Sequence, residues 1–107
     1  MPLRHRLIRC ALALLLAAGG AARADDAADV QALLAGGDAA TALRRVERAV
    51  AARPDDAQLR FLHGVVLMDL RRDEEALTVF TQLAQLYPAL PDPLNNIALL
   101  QARGRLF

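Results

Sequence analysis

From Asp73 to Pro88, apolar or small residues fall at Ala76, Phe80, Leu83, Ala84 and Tyr87, spaced i, i+4, i+7, i+8 and i+11. That spacing gathers them on one face of an α-helix. The stretch from Asp38 to Pro54 repeats the pattern with Ala42, Val46, Ala49 and Val50. The segment between them is apolar on two sides, with Phe61, Val65 and Met68 along one and Leu59, Leu62 and Val66 along the other. A helix of that kind is packed between neighbours. Breaks fall at Gly36-Gly37-Asp38 and at Arg71-Arg72-Asp73, so Asp38 and Asp73 are expected as N-caps, with Glu74 and Glu75 in a first turn that favours negative charge. Pro54 and Pro88 end helices, and Asp92-Pro93 opens one with a cap and a proline in the first position. Five helices are predicted, over 26–35, 39–53, 57–70, 74–87 and 93–103, and no strand pattern competes with them.

The helices recur in a unit of fixed length. Pro54 and Pro88 are 34 positions apart, as are Ala42 and Ala76, Val46 and Phe80, and Gly64 and Ala98. Gly36 maps onto Leu70 and Gly104 in the same register. Helices of this length joined by short turns form antiparallel hairpins that stack side by side. The fold class is therefore all-α, a solenoid of stacked antiparallel helix hairpins. Gly64 costs about 1 kcal/mol against Ala inside a helix. The expected return is a close approach by the next helix, with its small residue Ala76 as the facing partner.

The N-terminus follows a different pattern. Arg4, Arg6 and Arg9 precede the apolar run ALALLLAAGGAA, and Ala22 and Ala24 flank Arg23 just before Asp25. This three-part arrangement reads as a secretory signal peptide over 1–24, cleaved after Ala24. A run of about 15 residues is short of the roughly 20 that span a bilayer. The alternative is an uncleaved N-terminal anchor. Cys10 precedes the apolar run instead of closing it, so it does not mark a lipid attachment. The expected location is periplasmic or secreted. Cleavage would also remove the one cysteine, leaving no disulfide and no thiolate metal ligand.

The charge balance changes with the leader. The chain has 13 basic residues, all Arg, and 12 acids. Four of the Arg and none of the acids lie in 1–24, so the remainder carries nine Arg against twelve acids, a net of −3. A mildly acidic body argues against nucleic acid and against insertion into or adhesion to anionic membranes.

Gly64, Ala76, Phe80 and Pro88 stand at the eighth, twentieth, twenty-fourth and thirty-second places of a 34-residue unit. In this they resemble the tetratricopeptide repeat. The resemblance divides the chain into a degenerate first repeat over 25–56, carried by Gly37, Ala42, Ala49 and Pro54; a second over 57–90; and the first helix of a third, interrupted repeat over 91–107. Arg60, His63 and Leu67 depart from the aromatic, Leu and Tyr usual at their places. The interruption reads either as a truncated copy of a longer solenoid or as a face covered by a partner.

The resemblance implies a non-catalytic module that binds a protein or peptide in a concave groove lined by first helices. By register that groove takes Gln58, Phe61, Leu62, Val65, Met68 and Asp69 from one repeat and Asn95, Asn96 and Leu99 from the next. Asn side chains donate and accept together, and Met adapts to irregular partners. With no Lys in the chain, and with Phe61 and Val65 at the places used by relatives that clamp a terminal carboxylate, that mode is not expected. Arg60 and Arg103 are read as solvated surface residues. The alternatives are self-association through an uncapped C-terminal helix, as an assembly part of a longer solenoid, and regulation of an envelope enzyme.

Chemistry has little to work with. Beyond residue 24 there is no Ser or Cys, the hydroxyls are Thr41, Thr78, Thr81 and Tyr87, and His63 is the one imidazole. A Ser or Cys triad needs residues that are missing, and His63 has no second His for a metal. It is expected between helices with one ring nitrogen hydrogen-bonded. Asp55-Asp56 and Glu74-Glu75 sit at helix starts, where caps belong. Gly36-Gly37 has neither the strand nor the Lys of a phosphate loop. No enzyme activity, cofactor or metal is expected.

Overall fold

In the computed structural model, which describes residues 26–106, every regular element is a helix. Helix α1 covers 26–35, followed by α2 (Ala39–Ala52), α3 (Ala57–Asp69), α4 (Asp73–Leu86) and α5 (Pro91–Leu106). The proposed leader over 1–24 lies outside the described residues. Among the described residues, no helix is long and apolar enough to cross a membrane.

Each helix from α2 onward packs on the next in the chain. Three polar links show that neighbours run antiparallel, because each ties the end of one helix to the start of the one before. Arg53 after α2 pairs with Asp26 at the start of α1. The Tyr87 hydroxyl after α4 donates to the Asp55 carbonyl just before α3 (2.9 Å). Arg103 near the end of α5 grips Asp73 at the start of α4, with Nε donating to Oδ2 at 3.1 Å.

The core follows the 34-residue register. Ala42, Val46 and Ala49 of α2 are buried, and so are Ala76, Phe80 and Leu83, their counterparts in α4. Leu59 and Val66 of α3 match buried Pro93 and Leu100 of α5. Gly64 is buried too, but the atoms nearest to it are those of Phe80, one turn beyond Ala76. A Cβ added at Gly64 would lie 2.5 Å from Phe80 Cζ. The glycine makes room for that ring, which also meets Phe61 at 5.6 Å between centroids, tilted by 59°.

The turns inside the two complete hairpins are the same motif. Gly37 N–H donates to Leu34 O and Asp38 N–H to Leu33 O; 34 positions on, Arg71 N–H donates to Met68 O and Arg72 N–H to Leu67 O. This paired bonding closes a helix around a residue in the left-handed conformation. That residue is Gly37 (φ 81°) in the first turn and Arg71 (φ 61°) in the second.

The helix starts correct two expectations. Asp38 caps α2, accepting from Thr41 N–H at 3.2 Å, and Asp56 caps α3, accepting from Leu59 N–H at 3.1 Å. At α4 the cap position belongs to Arg72, whose side chain makes no capping bond, and Asp73 is already helical. The register explains this, since 34 positions separate Asp38 from Arg72. Helix α5 begins at Pro91, so Asp92-Pro93 lie within its first turn. Pro93 is tolerated there because the first four N–H groups of a helix have no partner within it. Gly104 does not stop α5, which runs on to Leu106.

Candidate functional site

The two apolar sides of α3 have different fates. Leu59, Leu62 and Val66 are buried, at 6% exposure or less, whereas Phe61, Val65 and Met68 are only half-buried although they pack on the same core. The half-buried side opens onto two clefts. One encloses about 380 Å³ and is lined by Leu34 of α1, by Val65, Met68 and Asp69 of α3, by Arg71 in the turn, and by Asn96 and Arg103 of α5. The other encloses about 270 Å³ near the start of α3 and is lined by Ala57, Gln58, Phe61, Leu90, Asp92 and Pro93. The odd-numbered helices thus share a face, as stacked hairpins require.

Of the residues predicted for a groove, Val65, Met68, Asp69 and Asn96 meet in the first cleft, and Gln58 and Phe61 in the second. Leu62 is buried in the core and has almost no surface to offer. Asn95 is exposed and Leu99 is 49% exposed, and neither lines these clefts. Leu34, Arg71 and Arg103 line the first cleft but were not among the predicted groove residues. The register holds the signal for two of them, because Leu34 is the counterpart of Met68 and Arg103 of Asp69; Arg71 is the counterpart of Gly37, which lines neither cleft, so register does not point to it.

The polar groups of the first cleft are unequally engaged. Asn96 Nδ2 donates to the Asp92 carbonyl at 3.2 Å, which leaves its Oδ1 to accept. Arg103 is bound through two nitrogens to Asp73 and is only partly exposed, so it is a tie between helices and not the solvated residue its composition suggested. Arg60 is likewise engaged, its Nε donating to the Pro54 carbonyl. Arg71 has no side-chain partner among the described residues.

His63 lies outside both clefts. It is half-buried and makes no hydrogen bond to a described residue, contrary to the expectation of one bonded nitrogen. Burial pushes its pKa below the ordinary 6.5, and Glu47 and Glu75 only partly offset this. Among the described residues, no group of three or more His, Cys, Asp or Glu is placed to hold a metal ion. The clefts provide apolar area, an amide and a guanidinium, which is the chemistry of binding.

Comparison with curated proteins and with solved structures gives no match. The family model described as tetratricopeptide repeat matches residues 28–91, more than half of the chain. Repeats of this kind generally mediate protein–protein interaction and are typically non-catalytic. Hairpins each closed by a left-handed turn, a 34-residue register of burial and the family match agree: the chain belongs to the tetratricopeptide repeat family.

Proposed function

We propose that the chain is an exported interaction module that holds a segment of a partner protein along the face shared by α1, α3 and α5. The carrying observation is the half-burial of Phe61, Val65 and Met68 beside the fully buried opposite side of the same helix. Apolar side chains left open in a cleft, with amide and guanidinium groups at its edge, fit a peptide that brings both apolar area and polar backbone. On this reading 25–56 and 57–90 are repeats, and 91–107 supplies the first helix of a third. Regulation of an envelope enzyme is one use of such a grip.

Selection of displayed random peptides against the chain tests the reading. Enriched peptides should lose binding to V65E and M68E variants whose circular dichroism is unchanged. Peptides that bind those variants as well as the parent would place the grip elsewhere. The proposed export has its own test. Chain recovered from the periplasm of an expressing bacterium should begin at Asp25, and a sequence beginning at Met1 would favour an anchor.

A second reading rests on α5. Leu94 is 53% exposed, and the same helix carries exposed Asp92 near its start and exposed Arg105 near its end. Ala98 and Arg105 lie on the same side of the helix as Leu94, so two copies of α5 packed through that side would cover Leu94 and Ala98. Sedimentation equilibrium should then show a dimer that L94E dissolves, and a monomer at all concentrations removes this reading.

A further inference from the structure

Resting on the groove reading above, we infer that the cleft at the end of α3 selects a peptide carrying an acidic side chain beside an apolar one, with Arg71 reading the acid. Two independent observations single out this arginine. The first is its backbone. Arg71 holds φ 61°, a conformation that disfavours every residue with a Cβ, where the equivalent place in the preceding hairpin is Gly37. Strained positions of this kind gather at ligand clamps. The second is its company. Of the two arginines lining the cleft, Arg103 is taken up by Asp73, while the Arg71 guanidinium has no partner among the described residues.

The rest of the lining sets what surrounds the acid. Leu34, Val65 and Met68 give an apolar floor for a neighbouring side chain, and Asn96, whose Nδ2 is engaged by the Asp92 carbonyl, has Oδ1 left as an acceptor. Asp69, also at the cleft and exposed, disfavours acid on its own side and so directs the carboxylate toward Arg71. The left-handed backbone is itself held by the turn's paired hydrogen bonds, which fix where the arginine starts.

The test uses a pair of peptides with blocked termini, acetyl-Gly-Ala-Leu-Glu-Leu-Ala-Gly-amide and its Gln counterpart, titrated into the full chain and followed by ¹⁵N NMR. The Glu peptide should bind about tenfold tighter, the low end of what a hydrogen bond to a charged group contributes. The shifts should centre on Arg71, Met68 and Asn96. R71G relieves the backbone and folds, and R71Q keeps the side-chain length without the charge. Both should bring the two peptides within about twofold of each other, as loss of the charge-assisted bond requires. Equal binding to the parent, or a Glu preference that survives R71G, overturns the role of Arg71 while leaving the groove in place. Binding of neither peptide, with V65E-sensitive binding of display-selected peptides intact, rejects the acidic specificity alone. Failure of both sets rejects the groove as well.

Discussion

The two complete hairpins solve one packing problem in two ways. Val30 of α1 and Val46 of α2 are fully buried, and their counterparts are Gly64 of α3 and Phe80 of α4. One unit splits the volume evenly across its two helices; the other gives nearly all of it to an aromatic ring and leaves a glycine to receive it. The register is common to both, but the identity of the residues is not. Interiors constrain summed volume and shape more tightly than they constrain any one side chain.

The sharpest way to break this comparison is to exchange the solutions. G64V alone places branched carbon where the Phe80 ring already sits at 2.5 Å from the first added atom, and Phe80 is fully buried with nowhere to retreat. We expect a loss of about 3 kcal/mol, at the upper end for an overpacked core. F80V alone should cost about 2 kcal/mol through the cavity it leaves. The double variant G64V/F80V rebuilds the pair of the first hairpin, so its loss in urea melts should be well below the sum of the singles. An additive result would show that the hairpins are not interchangeable.

The turns allow a gentler version. R71G should raise stability by about 1 kcal/mol, and G37R should lower it by a similar amount, because only glycine accepts the left-handed conformation freely. If R71G is neutral or destabilising, contacts of the arginine outweigh its backbone. At the next position, R72S offers α4 the hydroxyl cap it lacks, with Glu75 correctly spaced to complete a capping box. It removes the exposed Arg72–Glu75 pair (2.7 Å), which is worth only a few tenths of a kcal/mol. The net gain should be about 0.5 kcal/mol by thermal melts. D38A in the first hairpin should move the midpoint in the opposite direction.

The smallest effect is in pH. Burial lowers the His63 pKa from 6.5, so the unfolded chain binds its proton more readily than the folded one. Stability from this group is therefore complete above pH 6.5 and declines as pH falls toward the folded value. Below that value it declines no further. H63Q should flatten the urea midpoint across that window. An unchanged slope would assign the acid loss to carboxylates. Asp38 is one of these, its pKa lowered by the hydrogen bonds from Thr41, and its contribution disappears only at lower pH.

The register made most of this architecture legible. Helical periodicity located all five elements, with the ends of α2, α3 and α4 off by one residue, because apolar spacing is fixed by which face is buried. Caps were harder. Asp73 looked like a cap by composition, but the 34-residue spacing from Asp38 points to Arg72, and position outweighs residue type once the turn is set by Gly37 and Arg71. The start of α5 was missed because a proline is equally acceptable at several places in a first turn. At the site, Val65, Met68, Asp69 and Asn96 were readable from register, and so were the overlooked Leu34 and Arg103, whereas Arg71 belongs to the cleft only once hairpins are stacked. That Leu62 is core while Asn96, its counterpart, faces the cleft reflects how differently α3 and α5 are covered.

The links between helix ends differ in kind as well as in place. The first hairpin is latched by the ion pair of Arg53 with Asp26, the second unit by the neutral bond from Tyr87 to the Asp55 carbonyl. Salt weakens the former and scarcely touches the latter. In an array held by nearest-neighbour contacts, rising ionic strength should therefore loosen the two outer helices, α1 held by Arg53–Asp26 and α5 held by Arg103–Asp73, while the hairpin carrying Arg71 stays closed between them.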